Sequence, residues 1–154
     1  MEETSSIIIL TQTDNSIAKT IYLLFQKSYP IEAKLIGVES FPPLERSLKE
    51  IQNSKTIFLG YYYNGDLAGI AEIELMDRLL DINSFVVSPS FFRQGIGSKL
   101  LKHLLTTLSF ESAVVETASA NQPAILLYKK FGFIEVKNWM TDIGIEKVML
   151  SLQH

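Results

Sequence analysis

The sequence predicts an α+β domain: a mixed, mostly antiparallel sheet of about seven strands flanked by about four helices. Three observations carry that expectation. The middle of the chain holds three successive runs rich in β-branched and aromatic residues, parted by turn dipeptides. The second half alternates short apolar runs with two segments of helical periodicity. Apolar residues make up 47% and charged residues 20% of the 154, enough to bury one continuous core, so residues 1–154 are expected to form one domain.

Residues 7–10 read as a first strand. Ile17, Ile21, Leu24 and Phe25 then recur at helical spacing behind Asp14 and Asn15, either of which can cap the helix, and Tyr29-Pro30 is expected to end it. Phe41-Pro42-Pro43 introduces a second short helix carrying Leu44, Leu48 and Ile51 on one face, with Glu45 and Lys49 as an i,i+4 pair outside. Residues 56–63 and 67–76 flank Asn64-Gly65-Asp66, the strongest short-range hairpin signal. Asp77-Arg78 turns into a third run over 79–87. Ile96, Leu100, Leu101, Leu104, Leu105 and Leu108 form the apolar stripe of a long helix. Residues 113–117 form a strand and 122–131 a last helix, with Asn121 as cap, Pro123 in the first turn and Gly132 just past the end. Residues 133–137 and 145–152 supply two closing strands.

Composition narrows the chemistry. Fourteen basic against seventeen acidic side chains give a formal charge of −3, without the basic excess of a general nucleic-acid binder. With no cysteine there can be no disulfide, no thiolate metal ligand and no cysteine thioester, and two histidines, His103 and His154, cannot make a histidine-rich zinc site. No apolar stretch approaches the roughly 18 residues of a membrane span, and Met1-Glu2-Glu3 lacks a basic leader, so a cytoplasmic location without a membrane partner is expected.

The informative stretch runs from Val86 to Ser98, Val-Val-Ser-Pro-Ser-Phe-Phe-Arg-Gln-Gly-Ile-Gly-Ser, where a strand enters a turn with two glycines that opens directly into a helix. The first N–H groups of a helix lack intrahelical partners, and its dipole makes that end partly positive. Gly95 and Gly97 let backbone amides approach a phosphate, and Arg93 can add a full charge. A Walker loop is excluded because no Lys-Ser or Lys-Thr follows the glycines. The dinucleotide fingerprint fails at its last glycine, where Leu100 stands, and its turn would follow the first strand of a parallel sheet instead of a meander.

The turn resembles the acetyl-coenzyme A loop of the GCN5-related N-acetyltransferases (GNAT), whose pattern is Gln or Arg, any two residues, Gly, any residue, then Gly or Ala. Downstream, Val115-Glu116-Thr117-Ala118-Ser119-Ala120-Asn121, then Ala124, Leu127-Tyr128 and Gly132-Phe133, are similar to that family's second block. The order of elements agrees over almost the whole chain. One position departs: Phe92 stands where the family has Gln or Arg, and Arg93 follows one residue later.

The resemblance implies an acetyl-CoA-dependent N-acetyltransferase of GNAT fold, with acetyl-CoA as cosubstrate and no metal. It assigns Phe85, Val86 and Val87 on the strand end, Phe92, Arg93, Gln94, Gly95, Ile96, Gly97 and Ser98 in the turn, and Asn121 to the cosubstrate, whose pantetheine arm enters between two splayed strands. Acetyl transfer needs a base for the amine, a donor for the carbonyl oxygen and an acid for the leaving thiolate. Tyr128 matches the family tyrosine and is the expected acid. Glu116, twelve residues before it, makes a pair similar to the Glu/Tyr pair of the ribosomal-protein N-terminal acetyltransferases. Asp81, on the strand before the loop where histone-type members carry a glutamate, is the rival base, and water is a third. Glu72 and Glu74 share a strand face, where they can attract a cationic substrate or simply meet solvent; Trp139 and Tyr61 to Tyr63 can line the acceptor pocket or belong to the core; His103 reads as a surface or packing residue.

The acceptor is expected to be a primary amine, of a small molecule or a protein, held by residues 28–44 and 137–146. Dimers are common in the family, so a homodimer is among the expected states. The reading from another class is a noncatalytic acyl-CoA-binding module.

Overall fold

The computed structural model describes residues 4–154. Seven strands form one sheet in the order β1-β2-β3-β4-β5-β7-β6. β1 (Ser5–Leu10), β2 (Ile57–Tyr63), β3 (Asp66–Met76) and β4 (Leu79–Val87) pair antiparallel in succession. β5 (Ser112–Ala118) joins β4 in parallel, and β7 (Glu146–Gln153) lies antiparallel between β5 and β6 (Ile134–Met140). Both hairpin turns of the meander have the left-handed residues of a primed turn, Asn64 (φ 50°) with Gly65 (φ 86°) and Asp77 (φ 51°) with Arg78 (φ 64°).

Alternation along the strands feeds two cores. One face carries Leu59, Ala71, Leu80, Ile82 and Val115 beneath α4 (Ile96–Thr107) and α5 (Gln122–Lys130). The other carries Phe58, Ile70 and Val86 beneath α1 (Asn15–Ile36) and α3 (Leu48–Asn53). Among the described residues, no helix is long and apolar enough to cross a membrane.

Three expectations are corrected. α1 does not end at Tyr29-Pro30 but runs through Pro30 to Ile36, closing on left-handed Gly37. Pro30 is exposed, while Ser28, Tyr29 and Ala33 are buried, so packing of this face outweighs one missing ladder bond. The second helix is broken into α2 (Pro42–Glu45) and α3, because Ser47 forms a capping box with Glu50 and starts a new helix. Glu45 and Lys49 therefore sit on different helices, and Glu45 accepts a hydrogen bond from Ser40 instead.

Glu72 is the third. It is not solvent-facing but 2% exposed, bridged to Arg46 at 2.6 and 2.8 Å. Thr56 and Ser84 hydroxyls each donate to it at 2.7 Å. Burial alone would lift this carboxyl; the Arg46 guanidinium and the two hydroxyls reverse that and hold it below the usual range. Tyr61 is core, and Trp139 on β6 carries the Lys137 ammonium 5.1 Å from its ring centre; both lie outside the acceptor cavity described below.

Candidate active site

The site originates in an irregularity of β4. β3 and β4 stay in register from Gly69↔Val87 to Glu72↔Ser84, and then Ile73 faces Ile82. Asn83 is thus the extra residue of a β-bulge, which bends its strand, and its Nδ2 donates to Glu74 Oε1 at 2.7 Å. The parallel β4–β5 ladder ends at that point, with Ile82↔Val115 as its last pair. Beyond it the two strands run on, unpaired with each other, to Val87 and Ala118.

Main-chain alternation decides what the gap offers. Ser88 N–H bonds Ala68 on the β3 side, so the backbone groups of Phe85 and Val87 turn the other way, into the gap. Ser119 N–H bonds Glu146 on the β7 side, so those of Glu116 and Ala118 turn toward the gap from β5. Ser28 Oγ donates to the Val87 carbonyl at 2.9 Å and ties α1 across one end. The Ala118 carbonyl likewise accepts from Asn121 N–H at 2.9 Å. The remaining amides and carbonyls of the two facing edges suit an extended amide-bearing arm such as pantetheine.

One end of the gap opens into a cavity of about 480 Å³ under the N-terminus of α4. Every residue assigned to the cosubstrate lines it except Gln94, whose side chain turns back to the Ser90 carbonyl at 3.5 Å. Gly95, the N-cap of α4, has φ 75° and no side-chain cap, so the first-turn amides of Ile96, Gly97 and Ser98 stay available. Arg93 shares the left-handed conformation at φ 64°. A Cβ on Gly97 would lie 3.3 Å from Leu127 and 3.7 Å from Phe85, so the position has no room for a long side chain. An uncapped helix start beside an arginine fits a pyrophosphate.

The other end opens into a cavity of about 510 Å³. Its walls come from α1 and α2 (Tyr29, Glu32, Phe41 to Pro43), the two strand ends, α5 and the β6–β7 turn (Thr141 to Ile143). Both segments expected to hold the acceptor contribute to these walls, the first with Tyr29, Glu32 and Phe41 to Pro43 and the second with Thr141 to Ile143 and Ile145. Tyr128 lines the cavity with its ring 3% exposed, edge-on to Phe85 at 6.1 Å and against Phe133 at 5.6 Å. Its hydroxyl has no hydrogen-bond partner among the described residues and is not shut away from the cavity. Burial, with the nearby Glu32 and Tyr29, pushes this phenol well above its ordinary range, so it stays protonated at neutral pH.

Glu116 lines the same cavity from β5, exposed, with its Oε2 3.5 Å from Lys147 Nζ. Asp81 lines neither cavity; it lies on the same sheet face, and partial burial with the charges of Glu74 and Glu116 raises its pKa. His103 is on α4, away from both cavities.

Glu32 is the residue that sequence reasoning missed. It lines both cavities, and its Oε1 accepts a hydrogen bond from Asn121 Nδ2 at 3.0 Å. Asn121 also caps α5, its Oδ1 accepting from Ala124 N–H at 3.3 Å. Burial lifts the Glu32 carboxyl above the usual range, partly opposed by the Asn121 hydrogen bond and the Lys147 charge. A signal was present: at helical spacing Glu32 falls beside Phe25, Ser28, Tyr29 and Ala33, the buried side of α1, and is itself half-buried, an unusual place for a carboxylate.

Known proteins converge on the same frame. The model of the acetyltransferase (GNAT) family matches residues 18–133. The UPF0157 protein YqkA of Bacillus subtilis is 36% identical over 146 residues, 94% of this chain, which spans only 42% of that relative's length. The ribosomal protein bS18-alanine N-acetyltransferase of Escherichia coli is 28% identical over 111 residues, 70% of this chain and 73% of the relative. The PaiA N-acetyltransferase of Thermoplasma acidophilum, solved with coenzyme A, superposes with a TM-score of 0.74 at 17% identity, covering 98% and 99% of the two chains. A bulged strand that parts from its parallel neighbour, a glycine turn at an uncapped helix and a family match over the same residues lead to one conclusion: the chain belongs to the acetyltransferase (GNAT) family.

Proposed function

We propose that this chain acts as one N-acetyltransferase domain, transferring an acetyl group from acetyl-CoA to the α-amino group of a protein or peptide. The observation that carries the reading is the meeting of the two cavities: Glu32, Phe85, Asn121 and Ala124 line both, across the gap between β4 and β5. A cosubstrate in one and an amine in the other would meet beside Tyr128. Relatives whose names specify an alanine N-acetyltransferase favour a protein amino terminus over a small molecule. The cavity chemistry agrees, since Glu32, Glu116 and Asp142 face one Lys147 and so suit a cation.

Acetyl-CoA supplies the acetyl group as a thioester. The first-turn amides of α4 and Arg93 hold its pyrophosphate, and the strand edges at Phe85, Val87 and Glu116 hold its amide-bearing arm. The acceptor enters as an ammonium, one of the cavity carboxylates takes its proton, and Tyr128 protonates the leaving sulfur. Asp81, outside the cavity, has no place in these steps.

Thiol release measured with acetyl-CoA and hexapeptides, with the α-amine free or blocked, tests the reading. Turnover with free α-amines alone is expected. CoA binding with no transfer to any peptide or small amine would leave a noncatalytic acyl-CoA-binding module. Transfer to small amines but not to peptides would overturn the acceptor.

A further inference from the structure

We propose that Glu32, and not the exposed Glu116, receives the acceptor's ammonium group and takes the proton that frees its nitrogen for attack. The inference rests on the acetyltransferase reading above and adds to it the residue that selects and activates the amine.

Position is the first argument. Glu32 is the carboxylate that lines both cavities, so a cation bound to it from the acceptor side lies next to the cosubstrate's place in the gap. Glu116 and Asp142 line the acceptor cavity alone. Restraint is the second. Asn121 Nδ2 holds one Glu32 oxygen at 3.0 Å, and Asn121 is itself fixed as the cap of α5, the helix that carries Tyr128. Base and acid are thereby positioned from one helix start. Glu116, by contrast, is exposed and already shares its charge with Lys147 at 3.5 Å.

Proton affinity is the third. The charged and titratable groups around Glu32 are Tyr29 on its own helix, Tyr128 on α5, Lys147 on β7, Glu116 on β5 and Asp142 on the β6–β7 turn. Arg93 shares the other cavity. Burial makes the carboxyl a stronger proton acceptor than a surface glutamate, and the Asn121 hydrogen bond and the Lys147 charge only partly offset it.

The step balances as follows. The ammonium gives one proton to a Glu32 oxygen, and the freed lone pair forms the C–N bond. The C–S bond breaks with its electron pair on sulfur, which takes the Tyr128 proton. The second proton shed by nitrogen restores the phenol, and Glu32 releases its own to solvent, so one proton appears per turnover.

Glu32→Gln keeps an oxygen for Asn121 and so separates charge from packing. With acetyl-CoA and a free-α-amine hexapeptide, this variant should lose about 10²-fold or more of kcat/KM at pH 7 while calorimetry shows CoA affinity within about twofold of wild type. The loss should close as pH rises past the peptide's own amine pKa, and Glu116→Gln should lose less at every pH. A Glu32→Gln enzyme with wild-type kcat/KM, or a loss that does not change with pH, would overturn the proposal. A second readout needs no turnover: the ¹³C-carboxyl signal of Glu32 in the CoA complex, followed while L-alaninamide is added. Movement at Glu32 supports the assignment even if no peptide is acetylated, in which case only the acceptor reading fails. No movement, or movement confined to Glu116, overturns it.

Discussion

Tyr128→Phe keeps the ring in its place between Phe85 and Phe133 and removes only an oxygen that no described residue binds. Turnover should therefore fall by roughly 10²–10⁴-fold where chemistry limits the rate, while the melting temperature and CoA affinity hardly move. Single-turnover quench measurements check this, and unchanged chemistry would remove Tyr128 from the mechanism. Glu32 carries the opposite balance between stability and activity. Its folded pKa is raised, so its ionisation opposes folding above the unfolded value of about 4.5 and contributes nothing below it. Glu32→Gln should accordingly raise the melting temperature at pH 7 and leave it unchanged near pH 4, a pattern that calorimetry across pH would show. Glu72 has the reverse sign: its depressed pKa adds stability above about 4.5 that is lost as pH falls through the folded value. Removing Arg46 should cost on the order of 3–5 kcal/mol at pH 7 by stranding that buried carboxylate, and visibly less in acid; urea titrations of Arg46→Ala would measure it. These residues also mark what sequence conveys. Tyr128, Asn121 and the glycine turn sit in contiguous motifs whose order carries their meaning. Glu32 meets Asn121 across 89 positions, and no local pattern encodes that encounter.

Among the elements, the start of α4 is the most exacting. Gly95 needs a left-handed backbone although a Cβ there would meet nothing, whereas Gly97 is limited by Leu127, Phe85 and Val87 around it. Gly95→Glu and Gly97→Glu should both abolish CoA binding in calorimetry, because each sets a negative charge at the helix start proposed to hold the pyrophosphate. Gly97→Ala, which asks Leu127 to give by only a few tenths of an ångström, should retain much of it. The strands, the two hairpin turns and the caps of α5 were legible in advance because turn chemistry and alternation are local. The limit of α1 was not, since proline reads as a stop unless the burial of Tyr29 and Ala33 beyond it is known. The break between α2 and α3 was hidden for a similar reason: Leu44, Leu48 and Ile51 keep one helical spacing across it, and the capping box of Ser47 with Glu50 decides against a single helix. The same proline masks Glu32, which lies in the turn of α1 just beyond it.

At the scale of the molecule, the sheet is two ladders, β1-β2-β3-β4 and β5-β7-β6, joined by four residue pairs from Leu79↔Ser112 to Ile82↔Val115. A ligand lying in the gap beyond them binds only the folded chain, so CoA at 100 times its Kd should add about 2.7 kcal/mol of stability. Amide exchange should then slow at residues 83–87 and 116–118 more than in the outer strands; uniform slowing would mean that the ligand does not lie between β4 and β5. That short junction also gives the molecule a tear line. β1 and β7 stand on opposite sides of it, so a pull applied through those two strands loads the four parallel pairs and the helices that bridge them. The unloaded chain should rupture there first, and at a lower force than with the gap filled. In an optical trap, the cosubstrate would be felt as a rivet.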